Sequence, residues 1–472
     1  MTNEIKNKIA IVLTDSDADN RRIAAEELGS SNENATITAL IIALSDVSSG
    51  VRDAATRSLI AIGGPTVARG IAFHLADQDI VLRNLAAKIL ARLGDSSVEA
   101  LFPFLRDTNK DVRKFAVDIL GLIGTDQSLP QLLPLLKDVD ENVRVATVEA
   151  LGCIGGADAV PSLCEMFTLD QSSRIYTADA LRKIGDGRAG VVLLETFLGL
   201  LKSPGSDSLV LYAISEALGV VGGVDTYHNL RAHVTDVQGQ MRSIVLHSII
   251  QIAERNRIPF EFEPSLREDL LQAFEENDEP IKLSIVKGLS QFRDSEVTRA
   301  LVQALGKSEE LDFYLFLELA SRPETFAMCV EVLEDPTVKF RKEIILLLGK
   351  LASDYVRQFV ERVEYPVNAE LLDRLFDAIA TQWTTVDQET REMIVEAVFR
   401  IDSDHAVAFL NRVTNNADPW MHIQIIDQLI SIPSRNALEF VVQSLENKDE
   451  QVREAAQMAM NAAANSPKAL PH

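Results

Sequence analysis

The pattern Asp-x4-Val-Arg-x2-Ala-x3-Leu-x2-Ile-Gly returns about every 31 residues, and it dictates what this chain can fold into. It is clearest where Asp107, Val112, Arg113, Ala116, Leu120, Ile123 and Gly124 fill every slot. One period earlier stand Asp77, Leu82, Arg83, Ala86, Leu90, Leu93 and Gly94. One period later come Asp138, Val143, Arg144, Thr147, Leu151, Ile154 and Gly155. A unit this short buries its apolar face only by stacking on its neighbours, so the repeat specifies a solenoid. Such a stack grows by addition, and 472 residues need no division into separate cores.

Each unit reads as two helices joined by a turn that carries the Asp. With the Val slot counted as position 0, positions 0, 4, 8 and 11 share one face of the second helix. The turn Asp stands where a carboxylate can accept amide hydrogen bonds and oppose the positive helix end. The closing Gly supplies the left-handed conformation that ends a helix. An Arg follows the Val slot at Arg21, Arg52, Arg83, Arg113, Arg144, Arg174, Arg242, Arg341, Arg391 and Arg453.

This pairing of an Asp column with an Arg column resembles HEAT repeats. The match is to the short-period bacterial type also found in phycobilin-lyase-like proteins, with its V-R-x2-A-x3-L-x2-I-G signature. The resemblance implies an all-α fold, an α-α superhelix of about fourteen repeats, with second helices lining the concave side. It also implies a structural ladder between neighbouring repeats, carried here by Asp77, Arg83, Asp107, Arg113, Asp138 and Arg144.

Residues 1–200 form the regular N-terminal repeats, and residues 201–472 are diverged repeats continuous with them. Two Pro-containing stretches, Lys202 to Ser208 and Arg255 to Pro264, read as longer loops. Helices are expected over 370–383 and 388–401, with an awkwardly short phase between them. The tail from Asn465 to His472 is expected to fray.

Apolar residues make up 47% and aromatics 6%, the balance of a Leu/Ile/Val/Ala helical core. No run of eighteen apolar residues offers a membrane span, and the polar start from Met1 to Lys8 is expected to carry no leader. Three cysteines, Cys153, Cys164 and Cys329, fit a reducing, cytoplasmic setting and read as core filler. The net charge of −24 opposes binding to nucleic acid and to anionic membranes and favours basic protein partners.

Chemistry is sparse. Asp15, Asp17, Asp19 and Glu26 imitate a calcium loop, but Asn20 replaces its Gly and Asp15 belongs to the turn column. The seven histidines are scattered, so no metal site is expected, nor any cofactor. Trp383 and Trp420 are expected in the core or an interface. No nucleophile stands beside a base in a catalytic pattern.

One pattern goes beyond scaffold. Position 6 of the second helix is acidic in four successive repeats, at Asp118, Glu149, Asp179 and Glu216. Position 2 in the last three is apolar or aromatic, at Val145, Ile175 and Tyr212. Such a groove would receive a basic helix or tail of a protein partner. Further on, position 6 becomes Leu317 and Leu346, either tighter packing or a second, apolar zone. The expectation is therefore a non-catalytic scaffold or regulatory adaptor in a bacterial cytoplasm. The alternatives implied by the resemblance are a phycobilin-lyase-like chromophore lyase or isomerase and a HEAT-like nucleic-acid-modifying enzyme.

Overall fold

The computed structural model describes residues 2–203, 207–335, 337, 342–352, 363–414, 419–430, 432 and 434–464. Within these it is all-α, without strands. The chain forms two compact units, residues 1–259 and 260–472, each an α-α solenoid of stacked helix pairs.

The second helices of the first unit are Ala18–Leu28, Ser49–Ile62, Ile80–Leu93, Lys110–Ile123, Glu141–Ile154, Arg174–Ile184, Ser208–Val221 and Gln240–Asn256. Those of the second unit are Glu279–Leu289, Glu309–Ala320, Lys342–Leu351, Gln388–Ile401, Pro419–Leu429 and Glu450–Ala464. They define repeats one to fourteen, in chain order. Positions 0, 4 and 8 form the core: Val112, Ala116 and Leu120 are buried, as are Leu311, Leu315 and Leu319 in the tenth repeat.

Local signals in the sequence act as expected. Gly124, Gly155 and Gly185 close their helices in the left-handed region, with φ of 72°, 78° and 72°. Asp140 and Asn109 cap second helices through amides of the first turn. The first helices of the fourth and fifth repeats tighten into 3-10 turns at Phe102–Arg106 and Leu133–Lys137. Pro103 and Pro134 begin these turns, since proline lacks the amide an α-turn would need. The stretch after Asn256 is a loop, with Arg257 at φ 55°. Helices Ala369–Gln382 and Gln388–Ile401 lie where the periodicity puts them, and Asp402 alone separates the latter from Ser403–Thr414. Arg341, the tail 465–472 and part of the Lys202 to Ser208 loop lie outside the described residues.

Second helices do not all pack alike, and position 7 decides how. Where it is Ala or Ser on the later helix, neighbouring second helices run in contact over much of their length. Ser58, Ala150, Ala180, Ala217, Ser248, Ala397 and Ala459 mark these joints. Where it is Ile89, Ile119, Glu318, Leu347 or Gln428, the two helices touch at few points or hardly meet. A larger side chain at the crossing holds two helix axes further apart. Several close joints add a Gly at position 9 of the earlier helix. A methyl on Gly152 would come within 2.9 Å of Ala180, and one on Gly349 within 3.0 Å of Ala397.

Candidate functional site

The Arg column first serves its own turn. Arg21, Arg52, Arg83, Arg113, Arg144 and Arg453 each donate from Nη1 to the carbonyl six residues back, at 2.7–3.1 Å. A second set of bonds crosses to the next repeat, but only at close joints. Arg113 donates Nε and Nη2 to both carboxylate oxygens of Asp138, each at 2.8 Å. Arg21 grips Asp46 in the same way at 2.7 and 2.9 Å, and Arg144 reaches Asp170 at 3.2 Å.

The rung expected from Arg83 is missing. Its Nε is buried without a partner, and among the described residues Asp107 binds the amide of Asn109 instead. Asp77 likewise accepts from the amide of Asp79 and meets His74, not Arg52. Ile89 and Ile119 at position 7 explain both gaps, because they hold the second, third and fourth second helices beyond the reach of the guanidinium. Where rungs form, they alter acidity. The Arg21 hydrogen bonds hold the Asp46 carboxyl below its ordinary range. Burial pushes Asp138 upward, and its bonds to Arg113 more than offset this.

The groove residues sit on a run of close joints from the fourth to the eighth repeat. Val145, Ile175 and Tyr212 are half-buried, Glu149 is exposed, and Asp179 and Glu216 are half-buried. Their charges are not equally available. Asp179 is held by Arg182 at 2.7 Å and Lys183 at 2.8 Å on its own helix. Burial pushes its pKa up, and these cations more than reverse that. Asp118 accepts from Lys114 at 2.8 Å, and Glu216 from the Tyr212 hydroxyl at 3.4 Å. Glu149 has neither ion pair nor hydrogen bond among the described residues. The carboxylate column is therefore partly neutralised: Asp118 and Asp179 are paired with cations, while Glu149 and Glu216 have no ion pair among the described residues.

Other expected features divide. Cys329 is buried and Cys164 half-buried, but Cys153 is exposed, because position 10 of its helix points away from the core. Trp383 is buried against Phe409, with ring centres 5.4 Å apart, whereas Trp420 is 63% exposed at the start of its helix. Asp15 and Asp17 spend carboxylate oxygens on the amides of Asp17 and Asp19. No group of metal-ligating side chains occurs among the described residues, and no helix there is long and apolar enough to cross a membrane.

Two features lie outside the ladder and the groove. Arg322 is wholly buried, donating to the carbonyls of Phe292 at 2.9 Å and Leu289 at 3.2 Å and pairing with Glu318 at 2.8 Å. A cleft of about 360 Å³ opens between the second helices of the tenth and eleventh repeats, lined by Leu317, Leu346 and neighbouring aromatics. Its signal was the bulk of Leu347 at position 7.

This geometry defines α-α solenoid units, with Asp–Arg rungs tying three pairs of neighbouring repeats in the first. The family model described as HEAT repeats matches residues 7–91, 69–138 and 98–182. Residues 7–182 are HEAT repeats. No curated protein matches as a relative. A crystal structure of importin beta is similar over 98% of this chain and 77% of its own, at 14% identity and a TM-score of 0.48. The complex of CpcE and CpcF of phycocyanin lyase from Nostoc sp. PCC7120 is similar over 56% of this chain and 94% of its own, at 18% identity and a TM-score of 0.34.

Proposed function

We propose that this chain is a non-catalytic HEAT scaffold or regulatory adaptor. It holds a protein partner on the outward positions 2 and 6 of its second helices, in repeats five to seven. The partner presents a basic helix or tail. Val145, Ile175 and Tyr212 give it an apolar track, while Glu149, Asp179 and Glu216 orient it and speed its approach. The observation that carries this reading is the unbroken run of close joints beneath these residues. It keeps the second helices in register, so that equivalent positions form one continuous surface.

The test is capture of partners by the full chain and by a variant with Glu149, Asp179 and Glu216 all changed to Lys. The expected result is a partner retained by the native chain and lost by the variant at unchanged helicity. Equal retention from about 50 to 500 mM salt would move the interface elsewhere. A bilin-dependent absorbance change on mixing with free tetrapyrrole would instead favour a chromophore lyase.

A further inference from the structure

The cleft in the second unit is one place where the outward face of the second helices opens. Leu347 keeps Glu309–Ala320 and Lys342–Leu351 apart, and no side chain of the described residues fills the space between them. Its lining is apolar and aromatic: Phe316, Leu317 and Leu346 are half-buried, and Phe313 stands at the lip, 59% exposed. Phe313 occupies position 2 and Leu317 and Leu346 position 6, the positions that carry Tyr212 and Glu216 in the seventh repeat.

Charge is distributed unevenly around this opening. Glu309 and Glu343 lie at the first turns of the two helices, and neither has an ion pair or hydrogen bond among the described residues. Asp312 beside them accepts the amide of Gly306 at 2.8 Å. The cation at the opposite end, Lys350, lies over the Phe316 ring, 4.9 Å from its centre. One end is thus acidic, and the floor is apolar.

We infer that this cleft receives the bulky apolar anchor of an amphipathic partner helix, with a Lys or Arg about one turn away that reaches Glu309 and Glu343. This rests on the scaffold reading and adds a second docking point with its own chemistry. A volume near 360 Å³ lies at the small end of the range for binding pockets and admits one large side chain or two smaller ones. Aromatic walls in a concave site are the setting in which anchor residues contribute most to binding. A helix laid in a groove presents such anchors at intervals of three and four residues. The carboxylates of Glu309 and Glu343 select a basic sequence beside the anchor, and the net charge of −24 draws it in.

The test uses the full chain and a fluorescein-labelled amphipathic peptide of about sixteen residues, with Leu and Phe on one face and Lys on its flanks. Two control peptides carry Glu for Lys or Ser for Leu and Phe. Fluorescence anisotropy is expected to show binding of the basic amphipathic peptide alone. Phe313→Glu should weaken it about tenfold or more, and Leu346→Glu likewise, with circular dichroism unchanged for the exposed Phe313 variant. Glu309→Lys with Glu343→Lys should abolish the preference for the basic peptide. Absence of binding, equal binding of the acidic peptide, or binding indifferent to Phe313→Glu would each overturn the inference. If affinity falls instead with Glu149→Lys, the cleft assignment fails while the scaffold reading stands. The scaffold reading fails separately, if the native chain captures no partner.

Discussion

A methyl group on Gly121 would come within 2.8 Å of Ala150 Cβ, so two second helices meet there with almost nothing between their backbones. The same joint carries the bidentate Arg113–Asp138 rung. The two facts are one: small residues at the crossing bring the turn of the fifth repeat within reach of an arginine on the fourth.

Ala150→Leu should therefore separate these helices and break the rung together. Overpacking of this kind costs about 1–3 kcal/mol. Urea denaturation should show that loss, and combining it with Arg113→Ala should add less than the sum of the two. Strict additivity would mean that the close approach and the rung are unrelated.

Arg113→Ala should cost more than Arg83→Ala. Arg113 and Asp138 side chains are only 12% and 10% exposed, and two charge-assisted bonds cross between repeats. Bonds to charged groups contribute about 1.5–3 kcal/mol each at most, and screening reduces this for a partly exposed pair. Arg83 gives up a single carbonyl bond within its own repeat. Equal losses in the midpoint of thermal unfolding would contradict the difference between close and open joints.

Much of this was legible because it is local. A glycine ending a helix at Gly124 or Gly155 and a carboxylate capping at Asp140 depend on neighbours a few residues away. Position 7 was not legible, because Ala150, Ser248, Ile89 and Leu347 all suit a helix equally well. Their difference is felt only by the neighbouring helix about thirty residues away. Arg322 was hidden for a related reason: its partners Leu289 and Phe292 offer backbone carbonyls, which no side-chain pattern announces. The stripe around Glu149 was visible as a pattern, but its partial neutralisation by Lys114, Arg182 and Lys183 needed coordinates.

Arg322→Ala should be among the most damaging single changes in the second unit. It would leave two buried carbonyls and the mostly buried Glu318 carboxylate without their donor. Breaking a buried pair from one side costs about 3–5 kcal/mol. Arg322→Lys should recover only part, since an ammonium cannot span the same fork. A loss below about 1 kcal/mol in denaturant titration would remove Arg322 from this role.

His247 makes stability depend on pH. Burial lowers its pKa from 6.5 to about 4, so the folded chain keeps the ring neutral. Between those values the unfolded chain binds the extra proton, and stability therefore falls as pH drops from 6.5 toward 4. The contribution is complete above 6.5 and amounts to about 3 kcal/mol at most. His247→Leu should flatten this slope in melts recorded from pH 7.5 to 4.5. An unchanged slope would assign the dependence to other groups.

The groove in the first unit should answer chiefly to one residue. Asp179 already holds two cations and Glu216 a tyrosine hydroxyl, so reversing either also disturbs an existing pair. Glu149 is exposed and unpaired, and its charge is fully presented to a partner. Glu149→Lys alone should therefore supply most of the loss in association rate seen in the triple variant, roughly tenfold at low salt and little at 500 mM. Asp179→Lys should shift thermal stability instead, because it sets three cations side by side on one helix face. Stopped-flow association with a captured basic partner separates the two. If Asp179→Lys slows association as much as Glu149→Lys without lowering stability, the stripe acts as a whole and intrahelical pairing does not mask it.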